Sequence, residues 1–342
     1  MPERSGTKKK VRRYKKGPLT IGGQQVAPGE QAVVKIDVGR LPSDSPIHIN
    51  VFVHRSSKPG PVALIMGGVH GDEINGVEIV RRALDTRMFD HLLRGTVVAI
   101  PLLNVHGFIH FSREVPDGKD VNRSFPGNMR GSLASRVARI VSRTIMPEID
   151  FVIDYHTGGG SRYNHPQVRY SRLSIPSLTL ARHFAPPFII KKPIIRKSLR
   201  QVARDLAIPI LIYEGGEALR LDGFAITKGL QGMRRVLAHK RMLAPHWYEQ
   251  ADEPSVLFDK TSWVRASSAG IFTWSKRSGM KVRKSEPLGT ITDPFGSRKI
   301  VVLANRSGYI LGHNNASVVN QGDALFNIGY QFRILEPKAL PR

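Results

Sequence analysis

Apolar and polar positions along the chain predict strands first and alternating strands and helices afterwards. Alternating apolar residues at 32–38 and 47–53 predict two strands that pair as an antiparallel edge. The continuously apolar run at 61–66 is typical of a strand buried on both faces. We therefore expect an α/β domain with a mixed sheet flanked by helices. Its further strands are predicted at 95–101, 150–155 and 208–214, and its helices at about 75–84, 132–146 and 199–206.

The last part of the chain has a different pattern. From about residue 262 the helical periodicity disappears, and glycines separate short β-type runs. The segment 269–291 is echoed by 307–328, which predicts a small flattened barrel of two related halves. We therefore divide the chain into three parts: a basic tail at 1–17, an α/β domain at 18–254 and a C-terminal all-β domain at 255–342.

Composition narrows the classes of function. The chain has 342 residues, 41% of them hydrophobic, which is enough to bury a sizeable core. No apolar run reaches the roughly 20 residues of a membrane helix, and the basic N-terminus lacks the apolar centre of a secretory signal. We therefore expect a cytoplasmic protein with no membrane partner. Because cysteine is absent, a bound metal would need His, Asp or Glu ligands.

The net charge of +25 favours an acidic substrate or a polyanionic partner. Part of the excess lies in the first sixteen residues, which we expect to form a disordered tail. The remaining basic clusters are scattered, and solvated surface is the simplest interpretation of each. A tail that docks on RNA and a basic funnel for anionic substrates both remain open.

Two histidines and a glutamate follow the ends of predicted strands. His70 and Glu73 lie three residues apart just after the strand at 61–66, where both side chains can converge on one ion. His156 directly follows the strand predicted at 150–155. Such a set leaves a fourth ligand position for water, as in hydrolytic zinc sites. Glu214, at the end of another strand, is a candidate general base, and capping of the next turn is its alternative role.

The segment 113–127 is dense in glycine, proline and polar residues, as expected of a functional loop. Asn122 and Arg123 are suited to binding a substrate carboxylate, and Arg113 to stabilising an oxyanion. Asp120 is a candidate for orienting His70 by contacting the ring nitrogen that does not bind the metal. A surface loop whose arginines pair with local acids is the alternative.

Together these motifs resemble the succinylglutamate desuccinylase/aspartoacylase family, a branch of the zinc carboxypeptidase-like hydrolases. The resemblance runs from about 33 to 243 and implies a zinc-carboxypeptidase-like fold, so that 18–254 would be a zinc hydrolase catalytic domain. It implies one Zn²⁺ per chain held by His70, Glu73 and His156, with Glu214 as base and proton shuttle. The motifs that carry it occur in the family's order, at 67–73, 117–127, 154–159 and 214–216.

The same resemblance assigns further roles. Asn122 and Arg123 would hold the substrate's carboxylate, and Arg113 would polarise the scissile carbonyl, although its spacing from Asn122 varies within the family. The segment 255–332 resembles the lipoyl/biotinyl-like β domain that many members carry. Lys299, between its halves, lacks the flanking methionines of a biotin acceptor, so we expect no covalently attached cofactor.

The sequence therefore predicts a zinc-dependent deacylase that cleaves the amide of a small, carboxylate-bearing N-acyl amino acid. One alternative is carboxypeptidase-like removal of acidic residues from a peptide or protein, which the charge of +25 favours. Another is a nucleic-acid- or ribosome-associated binding protein on a hydrolase scaffold, which the basic tail favours. Homo-oligomerisation is left open. Among the other histidines, His313 is assigned to packing, and His106, His110 and His165 are candidates for lining the pocket.

Overall fold

The structure is a computed structural model that describes residues 14–41, 43–171 and 174–340. Residues 1–13 of the predicted tail lie outside these ranges. The strands are β1 (Leu19–Ile21), β2 (Gln24–Val26), β3 (Gln31–Arg40), β4 (Pro46–Arg55), β5 (Val62–Met66), β6 (Thr96–Ile100), β7 (Phe151–Gly158), β8 (Arg162–Ser171), β9 (Phe188–Lys192), β10 (Ile210–Glu217), β11 (Ser255–Arg265), β12 (Gly270–Trp274), β13 (Lys281–Val282), β14 (Pro287–Thr292), β15 (Lys299–Leu303), β16 (Gly308–Asn314), β17 (Val318–Val319) and β18 (Ala324–Leu335). The α-helices are α1 (Ile74–Asp85), α2 (Val105–Ile109), α3 (Leu133–Ile140), α4 (Ile175–Phe184), α5 (Leu199–Asp205) and α6 (Gly223–His239).

A twelve-stranded mixed sheet organises the fold. Its order is β13-β16-β18-β11-β9-β8-β10-β7-β5-β6-β4-β3. Strands β6, β5, β7 and β10 are parallel, and they are buried along their whole length. Strands β3 and β4 form the antiparallel edge that the alternating pattern predicts. The mixed α/β sheet is therefore confirmed, and the carboxyl ends of its four parallel strands meet at one edge.

Helices cover both faces of this sheet. Side chains of α3 and α5 pack with Leu64, Val152 and Ile210 on one face. Side chains of α1, α4 and α6 pack with Ile65 and Ile153 on the other face. Because side chains alternate along a strand, the even-numbered residues of β7 and β10 point toward α3 and α5. The predicted helix at 132–146 ends as an α-helix at Ile140 and continues as one π-helical turn at Val141–Ile145 and a short 3₁₀ turn at Met146–Glu148.

The C-terminal β unit, residues 255–335, is joined to the main sheet, which the sequence did not indicate. Strand β11 pairs with β9, and β16 pairs with β8. Strands β15, β14, β12 and β17 form a second, four-stranded sheet, and a separate apolar core lies within the unit. The two repeated halves interleave, because β12 pairs with β17 and β13 with β16. Strands β8 and β9, which our sequence analysis missed, make this junction.

None of the helices in the described ranges is long and apolar enough to cross a membrane.

Candidate functional site

His70, Glu73 and His156 converge at the carboxyl edge of the parallel strands. Their ligand atoms all lie within 4.8 Å of one another, and the three side chains are buried. Glu73 bridges the histidines, with Oε1 2.8 Å from His70 Nδ1 and Oε2 2.7 Å from His156 Nδ1. The two Nδ1 atoms are 3.2 Å apart. Of the residues that the structure describes, these three form the one group of three or more side chains arranged to hold a metal ion.

An aspartate carboxylate lies beside Nε2 of each imidazole, the ring nitrogen that does not contact Glu73. His70 Nε2 lies 3.2 Å from Asp120 Oδ1, and His156 Nε2 lies 3.0 Å from Asp154 Oδ2. An ionised carboxylate only accepts, so Asp120 and Asp154 each favour a proton on Nε2 of the imidazole beside them. The structure thus brings Asp120 to His70 as the sequence predicts. Asp154 was missed, although its position two residues before His156 puts it on the same side of β7.

The electrostatics of this cluster favour a cation. Burial disfavours the charge of Glu73, yet His70 and His156 hold its pKa well below the usual range. Burial also opposes protonation of His156, but Asp154 and Glu73 raise its pKa well above the ordinary value. Since two imidazoles and a carboxylate are common zinc ligands, the chemistry of the donor set fits a metal ion.

Arg113 lies against the group formed by His70, Glu73 and His156, where two carboxylates hold it. Its Nη2 donates to Asp120 Oδ2 at 2.9 Å and its Nη1 to Glu73 Oε1 at 3.1 Å. Burial opposes its charge, but Glu73 and Asp120 raise its pKa. One third of the side chain stays exposed and faces the cavity described below.

Asn122 and Arg123 lie on the short 3₁₀ turn that follows Asp120. The Asn122 backbone N–H donates to Asp120 Oδ1 at 2.6 Å. The Asn122 side-chain oxygen accepts from the backbone N–H of Leu199 at 3.0 Å, which ties the loop to the start of α5. Arg123 is 46% exposed, and its Nη1 donates to the Asn122 carbonyl at 2.8 Å. Both residues line the cavity, but the structural contact of Asn122 was not expected from sequence.

Glu214 lies beside His156, on the neighbouring strand. It is in register with His156 across the parallel pair β10–β7. Its Oε1 accepts from Arg169 Nη1 at 2.6 Å, and its Oε2 accepts from Asn164 Nδ2 at 3.0 Å. Both donors belong to β8. Neither donor was expected, because the sequence pattern does not predict that strand.

A cavity of about 270 Å³ opens above these groups. His70, Glu73, His156 and Glu214 form its floor. Its lining also contains five arginines, which makes the space strongly cationic: Arg113, Arg123, Arg162, Arg169 and Arg200.

The C-terminal β unit supplies part of the cavity wall through Trp263 and His313. The assignment of His313 to packing is therefore incomplete. Its Nδ1 accepts from the Ser278 backbone N–H at 3.3 Å, so the other ring nitrogen carries the proton, and burial lowers the pKa of His313 to about 4. The candidate lining residues His106, His110 and His165 do not line this cavity. The rings of the first two lie 4.2 Å apart at a tilt, and His165 packs against Phe188 and Phe224.

Comparison with known proteins agrees with this architecture. Residues 59–240 match the family described as the succinylglutamate desuccinylase/aspartoacylase catalytic domain. The chain is 26% identical over 281 residues to the N-alpha-acetyl-L-2,4-diaminobutyric acid deacetylase of Halomonas elongata, which covers 78% of this chain and 81% of that protein.

Solved structures share the fold. A product-bound ectoine utilization protein EutE (DoeB) from Ruegeria pomeroyi superimposes with a TM-score of 0.79 at 22% identity, over 88% of this chain and 94% of that one. A succinylglutamate desuccinylase from Silicibacter sp. gives a TM-score of 0.78 at 22% identity, with the same coverage. Because the family match spans more than half of the 342 residues, the chain belongs to the succinylglutamate desuccinylase/aspartoacylase family.

Proposed function

We propose that the chain is a zinc-dependent deacylase that hydrolyses the amide bond of a small, carboxylate-bearing N-acyl amino acid. The observation that carries the proposal is the convergence of His70, Glu73 and His156 beside Glu214 on the floor of one cavity. The name of the Halomonas elongata relative, a deacetylase of an N-acetylated amino acid, supports the same reaction class.

His70, Glu73 and His156 would hold one Zn²⁺ through the two Nδ1 atoms and the Glu73 carboxylate. Zinc bound there would supply a Lewis acid and lower the pKa of a coordinated water to about 7. Asp120 and Asp154 lie beside the Nε2 atoms of the two imidazoles and would keep the protons there, so that the Nδ1 atoms could bind the ion.

Glu214 acts as the general base in this proposal. Strands β10 and β7 are neighbours, about 4.8 Å apart, so Glu214 and His156 emerge side by side from the sheet. From that position the carboxylate takes the proton of the attacking water and delivers it to the nitrogen of the leaving amine.

Polar and cationic side chains in the cavity would bind the carboxylate and the carbonyl of the substrate. Arg123 presents a half-exposed guanidinium that can pair with the substrate's carboxylate. The Asn122 oxygen is engaged by Leu199, so its amide nitrogen is the group left to donate to that carboxylate. Arg113, held at the edge of the metal-ligating group, would polarise the scissile carbonyl as negative charge develops on its oxygen.

The cavity favours a small substrate over a peptide. Its volume of about 270 Å³ lies near the lower end of small-molecule sites, and Trp263 and His313 wall one side. We also propose the division into tail, catalytic domain and β domain given above, with a lipoyl/biotinyl-like β domain. The interleaved halves of the C-terminal β unit support that last point.

A screen for primary-amine release tests the proposal. Zinc-loaded protein is incubated with N-acetyl-L-2,4-diaminobutyrate, N-acetyl-L-aspartate and N-succinyl-L-glutamate. Glu214→Gln should lower kcat by about 10²–10⁴-fold while the zinc content stays unchanged. Glu253→Gln, at a residue that is 74% exposed, is the control and should behave as wild type. Full activity of the Glu214 variant would remove the assigned base, and a wild type inert on all N-acyl amino acids would contradict the proposed reaction.

A further inference from the structure

Two histidines lie one helical turn apart on α2 and take no part in the site described above. His106 is inside the helix, and His110 directly follows its last residue. The His110 backbone N–H donates to the His106 carbonyl at 3.1 Å, so the helical turn between them is closed. Residues four apart on a helix lie on the same face, one above the other. The two imidazoles are therefore neighbours, and neither lines the cavity above Glu214.

The two rings are oriented so that one ion can lie in the plane of both. Their centroids are 4.2 Å apart, and the ring planes are inclined by 34°. The lone pair of a ring nitrogen lies in the plane of its ring, so inclined rings can direct two lone pairs at one point, whereas stacked parallel rings cannot. His70 and His156, the histidines of the zinc site proposed above, have centroids 4.9 Å apart and planes inclined by 51°. The pair on α2 is thus arranged in a similar way.

His106 has a ring nitrogen in need of a partner. Its Nδ1 is buried and makes no hydrogen bond to the described residues. Buried polar atoms usually have a protein, water or ion partner, so this nitrogen is a candidate ligand. Burial and the imidazole of His110 lower the pKa of His106, and no lysine or arginine of the described residues contributes to the shift. An imidazole binds a metal ion only when it is neutral, so these surroundings favour a ligand.

A second histidine pair, between α4 and α6, lacks both of these properties. The ring centroids of His183 and His239 are 3.5 Å apart, but the rings are stacked at only 18°. Burial lowers the pKa of His183, and the positive charges of Lys240, Lys338 and Arg182 lower it further. The same cations would repel a metal ion. This pair therefore serves as a matched control for the pair on α2.

We propose that His106 and His110 bind a divalent transition-metal ion, with water in its remaining ligand positions. Two histidines at i and i+4 on one helical face are an established zinc-chelating arrangement, and imidazole also suits Ni²⁺ and Cu²⁺. The site is separate from His70, Glu73 and His156 and goes beyond the proposed hydrolysis. Because it has two protein ligands instead of three, it should bind zinc more weakly and lose it on dialysis against metal-free buffer.

An ion at this position would stabilise the short helix that supports the turn at 70–73. A Cβ on Gly71 would lie 2.0 Å from the Gly107 carbonyl carbon, so the backbones of this turn and of α2 are in direct contact. With only five residues, α2 depends on such contacts, because a helix this short is not stable alone. A metal ion that joins His106 to His110 spans Gly107 and binds the folded turn only, which stabilises it by mass action.

Equilibrium dialysis against buffered Zn²⁺, with zinc counted by mass spectrometry, tests the site. Wild type should bind a second zinc per chain at a higher free zinc concentration than the first. His106→Gln and His110→Gln should each weaken this second event at least about tenfold, because a single imidazole cannot chelate. The first zinc should be unchanged in both variants. His183→Gln, in the stacked pair, is the control and should retain both zinc ions.

Amide hydrogen exchange gives an independent measurement on the same proteins. At a free zinc concentration of about twice the dissociation constant of the second event, exchange of the amides at 105–110 should slow by about threefold relative to the one-zinc protein. His110→Gln should show no such slowing at the same zinc concentration. Circular dichroism checks that each variant is folded.

The possible results separate this inference from the proposed function. An unchanged second zinc in His106→Gln and His110→Gln would overturn the inference, as would a wild type that binds only one zinc. A second zinc lost to the same extent in His183→Gln would show unspecific binding and would also overturn it. Failure to hydrolyse any N-acyl amino acid would overturn the proposed function alone, because His106 and His110 have no part in that reaction.

Discussion

Replacing Asp154 by Asn should weaken metal binding without touching a ligand. Asp154 is fully buried on β7, and its Oδ2 accepts a hydrogen bond from His156 Nε2 at 3.0 Å. Its other side-chain oxygen has no hydrogen-bond partner among the described residues. The carboxylate therefore acts mainly on His156, where it favours a proton on Nε2 and would leave Nδ1 to bind an ion.

The expected size follows from this contact. A hydrogen bond to a charged group contributes roughly 1.5–3 kcal/mol, and Asn keeps only a neutral acceptor at best. Its amide can also donate to Nε2, which would move the imidazole proton onto the ligand nitrogen Nδ1. Loss of such a supporting partner typically lowers metal affinity 10–100-fold, which corresponds to about 1.4–2.8 kcal/mol. The two estimates agree.

Zinc affinity is measured by competition with a fluorescent chelator, on wild type and Asp154→Asn at the same pH. Asp205→Asn, at a side chain that is 52% exposed and does not line the cavity, is the matched control. Circular dichroism of the metal-free forms checks that the variant is folded. A folded Asp154→Asn protein that binds zinc within about threefold of wild type would refute the assigned role of Asp154.

Two further variants test the geometry of the site. A Cβ on Gly71 would lie 2.0 Å from the Gly107 carbonyl carbon and 2.1 Å from the Phe108 nitrogen, so Gly71→Ala should displace the metal-binding turn and reduce zinc content. Gly223→Ala, where a Cβ meets nothing within 4 Å, should not, and equal zinc content in both variants would contradict this packing. Burial lowers the pKa of His313 in the folded protein from the ordinary 6.5 to about 4, so the unfolded chain binds this proton first as the pH falls. The free energy of unfolding of wild type should therefore fall by up to about 3 kcal/mol more than that of His313→Gln between pH 6.5 and pH 4, as measured by urea unfolding. The same pH dependence in both proteins would disprove the buried, neutral state of His313.

The sequence predicted the parts of the fold that depend on local pattern. Continuous apolar runs identified β5, β7 and β10, and His70, His156 and Glu214 follow from their positions at or just past predicted strand ends. Because the carboxyl ends of parallel strands meet at one edge, these residues could be expected to converge before any coordinates were known.

Strand β8 could not be recognised in this way. It contains Arg162, Asn164, His165 and Arg169 and lacks clear apolar alternation, because its polar side chains face the cavity or the joint with the C-terminal β unit. Because β8 was not predicted, neither the partners of Glu214 nor the pairing of β16 with the main sheet could be expected. The roles of residues distant in sequence, such as His313 in the cavity wall, depend on that pairing and have no local signal.

Whether His70, Glu73 and His156 hold a metal ion that the reaction requires is decided by one paired measurement. Zinc content by mass spectrometry and amine release are determined on the same samples of wild type, His156→Ala and the surface control His48→Ala. We expect about one zinc per chain in wild type and in the control, and loss of both zinc and amine release in His156→Ala. Undiminished zinc content and amine release in the His156→Ala protein would contradict it.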